Sequence, residues 1–134
     1  MRAYKMTDHC KYLCQYHLIW CPKFRFRVLS GKVEEELGEM FRAIADKYGY
    51  EIIENEIMED HIHLLVGAKP TVSPIDIVRT MKSITAVELF KRYPNLKKFY
   101  GKCGCLWSRG KFVSTAGNVS GDTIKKYIEE QKSK

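Results

Sequence analysis

Residues Tyr12 to Trp20 alternate, and both sides of the alternation carry apolar side chains. Tyr12, Cys14, Tyr16, Leu18 and Trp20 share one face; Leu13, Gln15, His17, Ile19 and Cys21 share the other. A strand that is apolar on both faces belongs inside a sheet rather than at its edge. Pro22 ends it, since proline has no amide hydrogen to give a ladder. The fold must therefore place strands on both sides of this one.

The other segments supply them. Val33, Leu37, Met40, Phe41, Ile44, Ala45 and Tyr48 recur at helical spacing, and Gly49 is a natural stop, so a helix is expected over 32–48. Tyr50 to Met58 is rich in strand formers, Glu59-Asp60 makes a turn, and His61 to Val66 is a further strand ended by Gly67. Ser73-Pro74 opens a second helix, as an N-cap followed by proline at the first helical position, with Asp76 near its positive end. That helix runs to about Arg92 and Pro94 breaks it. A loop with Gly101 and Gly104 follows, then strand pieces at Leu106-Trp107 and Phe112-Val113. Residues 113–121 read as a flexible joint and 120–132 as a last helix. The first six elements, β-α-β-β-α-β, are the ferredoxin-like or split βαβ pattern. The expectation is an α+β fold: an antiparallel sheet, helices on one face, the other face open to a ligand, and a mobile C-terminal helix. Such a fold hosts many functions and selects none.

At 134 residues the chain is expected to form one domain, 1–134. Its net charge of +7 suits a polyanionic partner, because lysine and arginine release counterions from phosphates; charge alone fits a merely soluble basic protein equally well. No apolar h-region follows the polar Met1-Arg2-Ala3-Tyr4-Lys5 start, and no run of eighteen apolar residues exists, so no membrane is expected. The odd count of five cysteines points to reduced thiols in the cytosol. Cys10, Cys14 and Cys21 lack the paired spacing of a structural zinc site and read as buried thiols; Cys103 and Cys105 read as free loop cysteines.

Two short motifs carry chemistry. His61 and His63 lie two apart on a strand and so project from one face, while Ile62, Leu64 and Val66 project from the other. Two neutral imidazoles fixed by a strand can grip one metal ion; they are also compatible with ordinary surface histidines. Near the C-terminus, Tyr127 and Gln131 are four apart and stack on one helix face, with Cβ atoms about 5–6 Å apart. Two imidazoles and an amide can hold a divalent cation, and a tyrosine beside it can attack a phosphodiester. The alternative is a packing tyrosine on an amphipathic helix. Arg25, Arg27, Arg109 and Lys111 interleave with Phe24, Phe26, Trp107 and Phe112, a pattern that can hold single-stranded nucleic acid or can be core aromatics beside solvated charges. Lys125 and Lys126 flank the tyrosine, and Lys125 is a candidate DNA contact. There is no GxxxxGK[ST] or GxGxxG loop, so no nucleotide cofactor is expected.

Together these residues resemble the HUH single-tyrosine transposases of the smallest, single-strand-mobilised insertion sequences. The resemblance runs through Tyr16-His17-Leu18-Ile19-Trp20-Cys21-Pro22-Lys23, Asp60-His61-Ile62-His63-Leu64-Leu65, Ser73-Pro74, Leu106 to Thr115 and the tyrosine helix. It implies that His61, His63 and Gln131 bind Mg²⁺ or Mn²⁺ and that Tyr127 is the nucleophile. It further implies a 5′-phosphotyrosine intermediate with release of a 3′-hydroxyl, binding of DNA hairpins at transposon ends, a homodimer, and a DNA-associated protein of a prokaryotic cytoplasm. Two other readings remain: a non-catalytic, ferredoxin-like single-stranded nucleic-acid-binding module, and a relaxase or replication-initiator-like HUH nuclease. The first would want aromatics on the central strands, where the third strand instead presents two histidines.

Overall fold

The computed structural model describes residues 4–7, 9–101, 104–116 and 121–131. A small antiparallel hairpin, β1 (Lys5–Thr7) and β2 (Cys10–Tyr12), precedes the main unit. Then come β3 (Gln15–Trp20), a 3₁₀ turn (Lys23–Arg25), α1 (Lys32–Tyr48), β4 (Glu51–Met58), β5 (His61–Gly67), α2 (Pro74–Arg92), α3 (Pro94–Tyr100), β6 (Phe112–Thr115) and α4 (Gly121–Glu130). The four-stranded sheet has the order β4-β5-β3-β6 with every neighbouring pair antiparallel. β3 is interior, as its two apolar faces require, and the α+β split βαβ expectation holds.

The main core lies on one face, while Ile19 and Cys21 are buried on the other. Leu18 and Trp20 from β3 and Ile62, Leu64 and Val66 from β5 point into the main core. They meet Leu37, Phe41 and Ile44 of α1 and Ile77, Val78, Met81 and Leu89 of α2. The ring of Trp20 makes edge contacts with both Phe41 and Trp107, at 5.8 and 6.0 Å between centroids. Truncating one such side chain, Leu64→Ala for example, removes about 2–5 kcal/mol of stability.

Local chemistry sets the element ends. Ser73 Oγ accepts from the amides of Ile75 and Asp76, capping α2 with Pro74 in the first turn. Gly49 closes α1 in a left-handed conformation at φ 78. Several expectations need correction. The strand expected over Tyr12–Trp20 is shorter: Tyr12 ends the outer hairpin and β3 begins at Gln15. Pro94 does not only break a helix: it starts α3, because a proline at the first helical position loses no intrahelical bond. Leu106-Trp107 is not a strand but one isolated bridge, Pro22 to Trp107. The expected joint at 113–121 begins inside β6, which runs to Thr115; residues 117–120, with Gly117, lie outside the described residues.

Candidate active site

The strand register brings the motifs onto one face. Ile19 is paired with His63 on one side and with Phe112 on the other. Directly opposed residues share a face, so Glu56, His63, Ile19 and Phe112 form one row across the sheet. The ring of Tyr127 packs on that of Phe112 at 5.4 Å. Tyr127 therefore stands on the histidine face, opposite the main core, and its helix docks on its own chain.

His61 and His63 are both half-buried on β5. The Nδ1 of His61 lies 2.8 Å from Asp60 Oδ1. An ionised carboxylate only accepts, so it fixes the proton on Nδ1 and leaves the lone pair on Nε2. The Nδ1 of His63 is 3.6 Å from Glu56 Oε2, and its Nε2 lies 2.9 Å from Nδ1 of His17. Sequence reasoning had no role for His17. Its signal was the alternation itself, which puts His17, Ile19 and Cys21 on one face; without the register nothing said that His63 lay opposite that face.

Asp60 also holds the tyrosine helix. Its Oδ2 is 3.0 Å from Nε of Arg25, an ion pair between groups only 17% and 14% exposed. The same guanidinium donates from Nη1 to the carbonyl of Ile128 in α4 at 2.8 Å. Arg25 can reach inward because Phe24 and Arg25 both take left-handed conformations, at φ 61 and 53. Each such non-glycine residue costs on the order of 1 kcal/mol, and that kind of strain clusters at functional sites.

A loop closes the other side. Lys82 of α2 donates from Nζ to the carbonyls of Ser108 and Gly110, at 2.7 and 3.1 Å. Burial first, and Lys111 nearby second, lower its pKa to about 8 against the opposing effect of Cys21. Gly110 leaves the room these groups occupy: a Cβ there would stand 2.6 Å from Gln131 Oε1 and 3.3 Å from the Tyr127 hydroxyl. Gln131 and Tyr127 thus converge over one point. Both oxygens are buried without a hydrogen-bond partner. An orphaned buried amide oxygen is costly unless something completes it. Burial, and secondarily Cys21, pushes the Tyr127 phenol above its ordinary range. The Cys21 thiol is pushed up to about 12, first by burial and then by Asp60.

The remaining candidates separate. Arg27, Arg109, Lys111 and Lys125 are exposed. Trp107 is not available to a base: it is 7% exposed, its ring packs on Trp20, and its Nε1 donates to Thr85 Oγ1 at 3.1 Å. Of the three thiols expected to be buried, Cys21 is, Cys14 is half-buried, and Cys10 is exposed because it sits on the small outer hairpin; Cys105 is exposed, as a loop position implies. Cys103 lies outside the described residues. Among the described residues no three His, Cys, Asp or Glu side chains gather as a metal cluster, and no helix is long and apolar enough to cross a membrane.

The sequence profile described as "Transposase IS200 like" matches residues 10–131. The chain is 41% identical over 124 residues to the ISDra2 transposase TnpA of Deinococcus radiodurans, covering 92% of this chain and 87% of that one. It is 29% identical over 131 residues to the transposase for insertion sequence element IS200 of Salmonella typhimurium, covering 96% and 86%. A crystal structure of a transposase-like protein from Deinococcus radiodurans superposes with a TM-score of 0.89 at 35% identity, over 97% of this chain and 99% of that one. A REP-associated tyrosine transposase bound to a REP hairpin shares the fold, with a TM-score of 0.56 at 12% identity over 92% and 69%. With the family profile spanning all but the ends of the sequence, this chain belongs to the IS200-like transposases.

Proposed function

We propose that this transposase cuts and rejoins single-stranded DNA at insertion-sequence ends through a covalent bond to Tyr127, with His61, His63 and Gln131 holding a divalent metal ion. The observation that supports the reading is the placement of Tyr127, with the unsatisfied Gln131 amide oxygen beside its hydroxyl, on the sheet face that carries the histidines.

The donor set fits Mg²⁺ or Mn²⁺: a buried amide oxygen lacking a partner, and an imidazole whose Nε2 keeps its lone pair because Asp60 holds the proton on Nδ1. Such an ion would orient the scissile phosphate and offset its charge. His63 fits once its Nε2 leaves the bond to His17. Tyr127 Oη attacks phosphorus, a phosphotyrosine ester forms at the 5′ side, and the 3′ oxygen leaves carrying a proton. One ester replaces another, so the energy of the broken bond is kept and a recessed 3′-hydroxyl can reverse the step without ATP. The phenol is a weak nucleophile while protonated, and burial raises its pKa above the ordinary range. Arg25 and Asp60 hold helix and histidine in one arrangement. The exposed Arg27, Arg109, Lys111 and Lys125 contact phosphates. The likeness to a hairpin-bound relative supports hairpins at transposon ends as the bound DNA, with the protein acting as a homodimer.

The test is incubation with labelled single-stranded DNA carrying a hairpin, with Mg²⁺ or Mn²⁺. A metal-dependent adduct that survives boiling in detergent is expected from the native protein, and none from Tyr127→Phe or His61→Ala. A protein that binds this DNA tightly yet forms no adduct is the binding module instead.

A further inference from the structure

Three phenylalanines lie on the surface in mutual contact. Phe24, Phe26 and Phe99 are 47%, 42% and 59% exposed. Their rings run in a chain: Phe24 to Phe26 at 5.6 Å, and Phe26 to Phe99 at 5.3 Å between centroids. The buried Tyr100 lies under Phe26 at 6.0 Å and its hydroxyl donates to the carbonyl of Lys23. The amide of Lys23 donates to the carbonyl of Leu106, so the turn that displays Phe24 is anchored at both ends of Lys23.

Leaving three large apolar rings in water is unfavourable, and a contiguous patch of this kind marks a binding surface. The backbone adds a second sign. Phe24 is held at φ 61 within a turn whose next residue, Arg25, is also left-handed. A bulky residue in that region is strained. The turn aims Phe24 outward while Arg25 reaches inward to Asp60 and Ile128.

Charge selects the occupant. The two segments that build the patch, Lys23 to Arg27 and Pro94 to Tyr100, contain Lys23, Arg25, Arg27, Lys97 and Lys98 and no acidic residue. Lys23 Nζ stands 5.4 Å from the ring of Phe24, and Lys97 and Lys98 are exposed beside Phe99. Aromatic faces between cations suit unpaired bases on a phosphate backbone, whereas bases within a duplex are already stacked.

We propose that Phe24, Phe26 and Phe99 form a stacking platform for unpaired bases of a single DNA strand that leads into the Tyr127 site, with Lys23, Lys97 and Lys98 along its phosphates. The platform deepens the reading of the chain as a single-strand transposase, on which it rests. Its link to the chemistry is one residue long, from Phe24 to Arg25.

The test measures binding of a labelled oligothymidylate and of a fully paired duplex of equal length by fluorescence anisotropy. Both rings to be removed are about half exposed, at 47% and 59%, so Phe24→Ala/Phe99→Ala should fold and melt within a few degrees of native. It should bind the oligothymidylate roughly tenfold more weakly or worse, with duplex affinity unchanged. Phe99→Trp should keep the affinity and show tryptophan quenching on binding that the native protein lacks. Native-like oligothymidylate affinity in the double variant overturns the platform, as does an equal loss for both DNAs. Loss of self-association with DNA affinity intact also overturns it and makes the patch a protein interface. The catalytic reading fails separately: a native protein that makes no adduct, while the double variant still loses oligothymidylate affinity, sinks the phosphotyrosine reaction and leaves the platform standing.

Discussion

The guanidinium of Arg25 donates at 2.8 Å to the carbonyl of Ile128, 103 residues further along the chain. Ile128 follows Tyr127, and the other contact of Arg25 is Asp60, the carboxylate that orients His61. One side chain therefore ties the tyrosine helix to the histidine strand. Arg25→Ala should cost about 1–3 kcal/mol, as expected for a largely buried, charge-assisted contact. It should slow adduct formation at least tenfold by releasing α4, since a nucleophile held out of position loses rates of that order. Arg25→Lys keeps the charge but cannot span both partners, and should recover the stability more than the rate. Thermal melts beside single-turnover adduct assays check this; a native rate for Arg25→Ala would remove the latch from the account.

Gly110 gives a second, finer probe. A methyl group there would meet Gln131 Oε1 at 2.6 Å, at the far end of a flexible side chain that can move. Gly110→Ala should therefore fold normally, with a melting temperature within a few degrees of native. It should form adduct at least tenfold more slowly because the amide oxygen and the phenol are displaced together. Equal rates for variant and native protein would mean that this convergence is not used.

The histidine pair yields a prediction about metal affinity. His63 Nε2 meets His17 Nδ1 at 2.9 Å, so the His17 ring occupies the nitrogen an ion would use. His17→Ala removes that competitor and should bind Mn²⁺ several-fold more tightly by calorimetric titration. His63→Ala should lose binding. If His17→Ala loses affinity as severely as His63→Ala, His17 is itself a ligand.

Lys82 sets a pH dependence. Its folded-state pKa, about 8, is below that of an ordinary lysine. Between the two values the unfolded chain holds a proton that the folded chain has released, so this group adds stability as pH rises through the window. Native protein should gain stability relative to Lys82→Met from about pH 7 to about pH 9 in urea unfolding. Cys21, pushed up to about 12, acts oppositely at higher pH but is common to both proteins and drops out of their difference. A flat difference between the two proteins would place the Lys82 ammonium in water rather than against the loop.

How much of this was legible in the sequence follows from the range of the forces. α1 and α2 were readable to their ends because caps and periodicity are local: Gly49 and Ser73 act on their own neighbours. His61 and His63 were readable as a pair because a strand alone fixes their shared face. Asp60 and His17 were not assigned roles, since both act through contacts that depend on strand register and turn geometry. Trp107 was misplaced because an indole beside arginine looks the same in sequence whether it stacks on a base or on Trp20. α3 was missed because Pro94 stops one helix and starts another at the same residue.

The most direct measurement is to digest the detergent-stable adduct with trypsin and locate the attached deoxynucleotide by mass spectrometry. The account predicts the added mass on the peptide that begins at Tyr127, on the phenol itself. A deoxynucleotide on any other residue, with Tyr127 unmodified, would contradict it.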